Sequence, residues 1–483
     1  MKNLIAIMLC VMVMPSVAQV DMESVNKLVN KREVQSHIAF LASDELRGRK
    51  TGSSEIDIAA KYLSTQLSAY GAEPVEGLYF QSVKFNQVTR PTGLQIKLGD
   101  KSLADLILLD GGNKTYEGRI VYLEFGNQED FSSTDVAGKL VIVKAGLSEP
   151  VDPRAAFFAM KQKRAWAIEK GAIGLVEVLV IPQMMRDQLK HFLDKDVRVS
   201  LQNEEKNDFV HIWALESAPL EMKKGKGVKG SLTVEGAEES EFVSKNVLAK
   251  IEGSDENLKN EHIVFTAHYD HVGVGIPNAE GDSIFNGARD NAVGVATVLT
   301  AAKYFGQNKP KRSVLYVLFT GEEEGILGSQ WFVENAPLPL NQMVYCLNSD
   351  NAGYTDKTAA TIIGMERTTA KDLIQSGIEE AELSVIADPM KEQGLYERSD
   401  NVHFARAGIP AANISMGISN FGPSIQQVYH NVSDNPETLD YEYLTRYTRA
   451  YVNVARKIAN AKKTPYWSAG DAYFQAGETL YKK

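Results

Sequence analysis

Six residues able to ligate a metal, His268, Asp270, Asp290, Glu322, Glu323 and Asp350, fall in one stretch of the chain, each beside an apolar or helical run. Carboxylates crowded into one place repel one another, and burying them unpaired is costly. A divalent cation relieves both problems. A donor set of His, Asp and Glu, without Cys, suits zinc or a neighbour such as manganese or cobalt. Taken singly, His268-x-Asp270 or the run Glu322-Glu323-Glu324 reads as solvated loop charge. Taken jointly, each at the end of an element, they read as one metal centre.

Residues 263–267 and 313–320 have the length and β-branching of buried parallel strands. His268 and Asp270 follow the first, and the three glutamates follow the second. Between them, 291–305 has a helical pattern with Ala and Leu on one face, and Asp290 stands just before it. Strand, loop, helix and strand make a βαβ unit. In such sheets ligands bind beyond the carboxyl ends of the strands. Residues 343–349 form another apolar strand, ending in Asp350, while 244–251, 358–364 and 412–415 add strands. Residues 24–72, 371–382, 400–407 and 441–461 are expected to be largely helical. The segment SDELRGRKTGS (43–53) reads as a polar loop joining two helices, with no chemistry assigned.

The motifs HYDHVG, GARDNAVG, GEEEGILGS, LNSDNAGY and YHNVSD stand in this order from His268 to Asp434. They resemble the ligand motifs of the co-catalytic dizinc aminopeptidases, of the secreted leucyl aminopeptidase and glutamate carboxypeptidase type. The resemblance covers most of the chain outside one insertion. It implies two zinc ions, replaceable by cobalt or manganese, with His268 and Asp350 on one, Glu323 and His430 on the other, and Asp290 bridging both. It gives Glu322 the role of general base and Asp270 that of orienting an imidazole or the bridging carboxylate. Tyr396, three residues before Ser399-Asp400, would hydrogen-bond the oxyanion or simply pack in its loop. Arg289 stands where relatives commonly carry a second acid, and Asn401 where they commonly carry His. His403 follows two residues later. His271 and Glu324 match no ligand position.

The expected fold is α/β: a three-layer α/β/α zinc-exopeptidase domain with a mixed, largely parallel sheet, plus an inserted small β-rich domain. The catalytic domain would comprise 19–93 and 240–463. Short β-like runs at 94–98, 118–123, 139–144, 174–180 and 210–215, with a helix at 155–170, mark the insert, 94–239. DVAGKLVIVKAG and AIEKGAIGLVEV within it resemble a protease-associated domain, expected to act as a lid or access module. His191 and His211 there stand alone. The tail, 464–483, reads as irregular.

The chain of 483 residues carries a net charge of −10, which argues against nucleic acid as a partner. Residues 1–18 read as a signal peptide, with Lys2 ahead of a short apolar core and Ser16-Val17-Ala18 as a small-x-small cleavage site. No other stretch is apolar enough to span a membrane, so a periplasmic or extracellular protein is expected. The mature chain would keep only Cys346 and so no internal disulfide. The leading expectation is a secreted aminopeptidase acting on peptide substrates. A carboxypeptidase or glutaminyl cyclase on the same frame, and a non-catalytic binding relative, remain alternatives. The sequence leaves the oligomeric state open.

Overall fold

The computed structural model describes residues 17–202 and 208–482, so the expected signal peptide lies almost wholly outside the described residues. The chain divides into two compact units, one of Met1–Val83 with Val243–Lys483, the other of Lys84–Phe242. The inserted unit thus begins and ends further out than the expected 94–239.

In the first unit, four parallel strands lie side by side: Ser313–Phe319, His262–His268, Met343–Asn348 and Ala411–Met416. Glu239–Ile251 runs beside Ser313–Phe319, antiparallel to it. Ala359–Ile363 flanks the other side antiparallel to Ala411–Met416, with Ser384–Ala387 parallel beside it. Every residue of His262–His268, Ser313–Phe319 and Met343–Asn348 is buried. This is why these strands read as continuous apolar runs rather than alternating ones. Alternation still decides which layer each residue meets. Ile263, Phe265 and Ala267 pack with the helices Lys31–Leu41, Ser54–Ala69, Val293–Gln307 and Tyr441–Ala459. Val264, Leu315, Val317 and Phe319 pack the other way, against Phe332 and Phe404 of Leu327–Glu334 and Asn401–Arg406. The result is a three-layer α/β/α fold with a mixed sheet.

The tail departs from expectation. Trp467 is buried, its Nε1 donates to the Gly408 carbonyl at 2.9 Å, and Phe474–Tyr481 is helical. Its aromatics are anchors, and burial of those rings orders what composition alone reads as irregular.

The second unit holds a mixed eight-stranded sheet. Its centre is parallel: Lys114–Tyr122, Leu140–Lys144, Gly174–Val180 and Val210–Glu216. Gly227–Glu235, Gly93–Leu98 and Leu106–Asp110 add antiparallel strands, and the helices Pro153–Glu169 and Gln183–Leu193 accompany them. His211 is not a lone histidine here. Its Nε2 lies 2.9 Å from Glu177, whose other oxygen takes Lys163 Nζ at 2.6 Å, all three side chains being buried.

Candidate metal centre

His268 is the last residue of its strand, so the end of the buried run delivers its imidazole to the carboxyl edge of the sheet. Its Nε2 lies 3.2 Å from Asp350, which follows the neighbouring strand, and 3.2 Å from Oδ1 of Asp290. Asp350 is held by Asn413 on the next strand, through two hydrogen bonds of 2.9 and 3.2 Å.

Asp290 sits in an irregular turn, Ala288–Ala292, leading into Val293–Gln307. Gly287 opens that turn at φ 62°, and a Cβ there would lie 2.3 Å from the Asp290 carbonyl, so only glycine fits. The turn aims one Asp290 oxygen at His268 and the other at Nε2 of His430, again at 3.2 Å. His430 Nε2 also stands 3.1 Å from Glu323.

Glu322 and Glu323 occupy the turn after Ser313–Phe319. Asp270 shapes that turn: its carboxylate accepts the backbone N–H of Glu322 and of Glu323, each at 3.2 Å, and the Thr51 hydroxyl at 2.9 Å. It also lies 3.8 Å from Nδ1 of His268. Thus Asp270 lies beside the His268 imidazole, but its main partners are the amides of the glutamate turn.

The segment 43–53, to which the sequence assigned no chemistry, underlies this site. Arg49 is buried, and its guanidinium donates to the carbonyls of Leu41, Tyr269, Asn286 and Gly287. It thereby ties the loop after His268 to the turn before Asp290. Thr51 accepts the Gly321 N–H at 3.1 Å while donating to Asp270.

Three donor groups result: His268 with Asp290 and Asp350; His271, Asp290, Glu323 and His430; and His268 with Glu322 and Glu323, the ligand atoms of each group lying within 4.8 Å of one another. His271, matched to no ligand position, faces Glu323 with Nδ1 at 2.8 Å. Glu324 is in none of these groups.

A divalent cation fits this set on chemical grounds. His430 Nε2 is buried and hydrogen-bonds to neither carboxylate beside it, as expected of ligand atoms converging on one ion. The carboxylates also attract positive charge. Burial works against protonation of His430, but Asp290 and Glu323 push it up to about 10. His268, equally opposed by burial, is raised well above its ordinary range by Glu322, Asp350 and Asp290. A metal ion supplies that charge while taking the same lone pairs.

Tyr396 does not meet its expectation as an oxyanion donor. It is buried, its hydroxyl donates to the Ala411 carbonyl at 3.1 Å, and Arg367 lies 4.0 Å over its ring. It packs with Ile363, Ala405 and Trp467 rather than lining the cavity over the donors. Asn401 donates to the Tyr396 carbonyl at 2.9 Å. The cavity itself is walled by Ile363, Met390, Leu395, Ile418 and Phe421, with Glu322, Glu323, Asp290, Asp350 and His430 at its acidic side.

The vacuolar membrane protease of Saccharomyces cerevisiae (strain ATCC 204508 / S288c) is 27% identical over 157 residues, 32% of this chain and 14% of the yeast protein. Its counterpart in Lachancea thermotolerans is 25% identical over 223 residues, 45% of this chain and 21% of that protein. The chain therefore matches only a small part of these relatives' length. Among solved structures, an aminopeptidase from Aneurinibacillus sp. strain AM-1 superposes with a TM-score of 0.61 at 18% identity, covering 92% of this chain and 97% of that one. BSAP, a zinc aminopeptidase from Bacillus subtilis, gives 0.51 at 18% identity with the same coverage. At such identities the likeness is one of fold. The profile of peptidase family M28 matches residues 246–455, the span that carries every donor described above from His268 to His430. That span, less than half of the chain, is what resembles peptidase family M28.

Proposed function

We propose that the protein is a zinc-dependent aminopeptidase holding two ions and releasing N-terminal residues from peptides. The observation that carries this reading is the placement of Asp290, one oxygen 3.2 Å from His268 and the other 3.2 Å from His430, as a bridging ligand requires. His268 and Asp350 would hold one ion, Glu323 and His430 the second, with Asp290 shared. Divalent ions held by these residues would supply polarisation of a scissile carbonyl and acidification of an attacking water.

The chain's own groups do the rest. Burial, with Asp350, Glu323 and Asp400 nearby, pushes the Glu322 carboxyl well above its usual range, against the pull of His268. A carboxylate of raised basicity at the cavity wall suits a general base that takes a proton from water and returns it to the leaving amine. The apolar wall of Ile363, Met390, Leu395, Ile418 and Phe421 would seat an apolar side chain of the substrate. An exported location, periplasmic or extracellular, follows from the signal-like residues 1–18. No helix among the described residues is long and apolar enough to cross a membrane.

A screen with aminoacyl anilides, their N-blocked counterparts and C-terminal substrates tests the reading. Cleavage of free-amine anilides alone, abolished by chelation and restored by zinc, is the expected result. Turnover of N-blocked peptides, or cyclisation of N-terminal glutamine, would replace it with one of the alternatives.

A further inference from the structure

We infer that Arg289 is a positioning residue that, with Asp434, locks the His430 loop to the Asp290 turn, so that one of the two metal positions stays assembled. The inference rests on the two-ion reading above. Arg289 is buried beside Asp290 and belongs to none of the donor groups. Its Nη1 donates to Asp434 Oδ1 at 2.9 Å and to the Thr438 hydroxyl at 2.8 Å, and its Nη2 to the Thr438 carbonyl at 3.1 Å. The guanidinium carbon lies 5.5 Å over the Tyr354 ring. Asp434 answers along the backbone. Its carboxylate accepts the Arg289 N–H at 2.9 and 3.1 Å and the Asp290 N–H at 3.2 Å, and its carbonyl accepts the Ala288 N–H at 3.1 Å. The turn bearing Asp290 is therefore pinned, by side chain and main chain, to the loop bearing His430.

His430 needs such a restraint. It has φ 49°, in the left-handed region, where a residue with a Cβ persists only if its surroundings over-determine it. Its ring stacks on Tyr429 at 4.0 Å, but its Nε2 has no hydrogen bond. The loop's other end, four residues on, is fixed by Arg289. Arg289 also matches the charge of Asp434, which is buried. Removing one partner of a buried charged pair leaves the other uncompensated. An acid at 289 could not donate the three side-chain bonds that Arg289 makes to Asp434 and Thr438.

The test is metal binding by the full chain, stripped by chelation and titrated with cobalt followed by its visible absorption, then with zinc in competition with a chelator. Wild type is expected to bind two ions. Arg289→Met should bind the first as wild type does and the second about 10–100-fold more weakly, the usual effect of losing a group that orients a ligand. Arg289→Lys keeps the charge but cannot reach Asp434 and Thr438 together, and should fall between. Adding Asp434→Asn to Arg289→Met should recover thermal stability without recovering the second ion, which a purely structural role would not produce. If folded Arg289→Met binds both ions as tightly as wild type, or loses both equally, the inference is overturned. Should that variant fail to fold, wild-type affinity of Arg289→Lys for both ions would overturn it. Fewer than two ions on wild type would instead overturn the two-ion reading.

Discussion

Glu322 and Glu323 are adjacent and both acidic, yet they stand in different surroundings. Glu323 faces His271 at 2.8 Å and His430 at 3.1 Å; although burial and Asp290 oppose it, these histidines draw its carboxyl down to about 2. Glu322 is instead pushed up. Neighbours titrating in opposite directions suit a ligand and a base. Glu322→Gln should keep two zinc ions and lose about 10²–10⁴-fold in turnover, the ordinary contribution of a general base. Glu323→Gln should lose one ion. Zinc content and turnover of both variants decide it, and a metal-depleted Glu322→Gln would reverse the assignment. His268, Glu322, Glu323 and Asp350 were legible because each stands just past a buried apolar run, and Asp290 because it precedes a helix, whereas His430 was marked only by its motif. Asp270, Thr51 and Arg49 were less legible. Their work is with backbone amides and carbonyls of remote segments, and such partners leave no periodicity in the sequence. Tyr396 could be read either as an oxyanion donor or as a packed tyrosine, because spacing places a side chain near a site but does not say what its hydroxyl will bond.

At the scale of elements, helix boundaries and strands largely follow the apolar pattern, while long-range anchoring does not. The helix Lys31–Leu41 shows how. His37 is buried, with Nδ1 2.7 Å from the Tyr62 hydroxyl and Nε2 3.0 Å from that of Tyr70. Burial lowers its pKa from 6.5 to about 4, Glu33 opposing. The folded state thus binds fewer protons than the unfolded chain between these values, so stability falls as pH drops from about 6.5 towards 4. The loss from this residue is on the order of 3 kcal/mol at the bottom of that window. Denaturant midpoints measured from pH 7 to pH 4 should fall less steeply for His37→Gln than for wild type. Parallel slopes would mean that His37 is already charged in the fold. The tail makes the same point from the other end: Trp467 bonds Gly408, far back in the chain, so aromatic content signalled anchoring that local pattern could not place.

At the scale of the whole molecule, the chain holds two units, each with its own core. The donors all belong to the first. In the second, Lys163 is fully buried and satisfied by Glu177 at 2.6 Å and by the carbonyls of Lys144 at 2.7 Å and Gly146 at 3.0 Å. Glu177 is shared with His211 at 2.9 Å. Lys163→Met would leave two carbonyls and one carboxylate oxygen without their donor, and breaking a buried pair by removing one partner costs about 3–5 kcal/mol. If each unit folds on its own core, that cost falls on the inserted unit alone. Calorimetry of Lys163→Met should then show one transition shifted down and another unmoved, with zinc content unchanged. Hydrolysis of small anilides should also persist at temperatures between the two transitions. A single shifted transition, with zinc released as it proceeds, would show that the catalytic unit draws its stability from the insert.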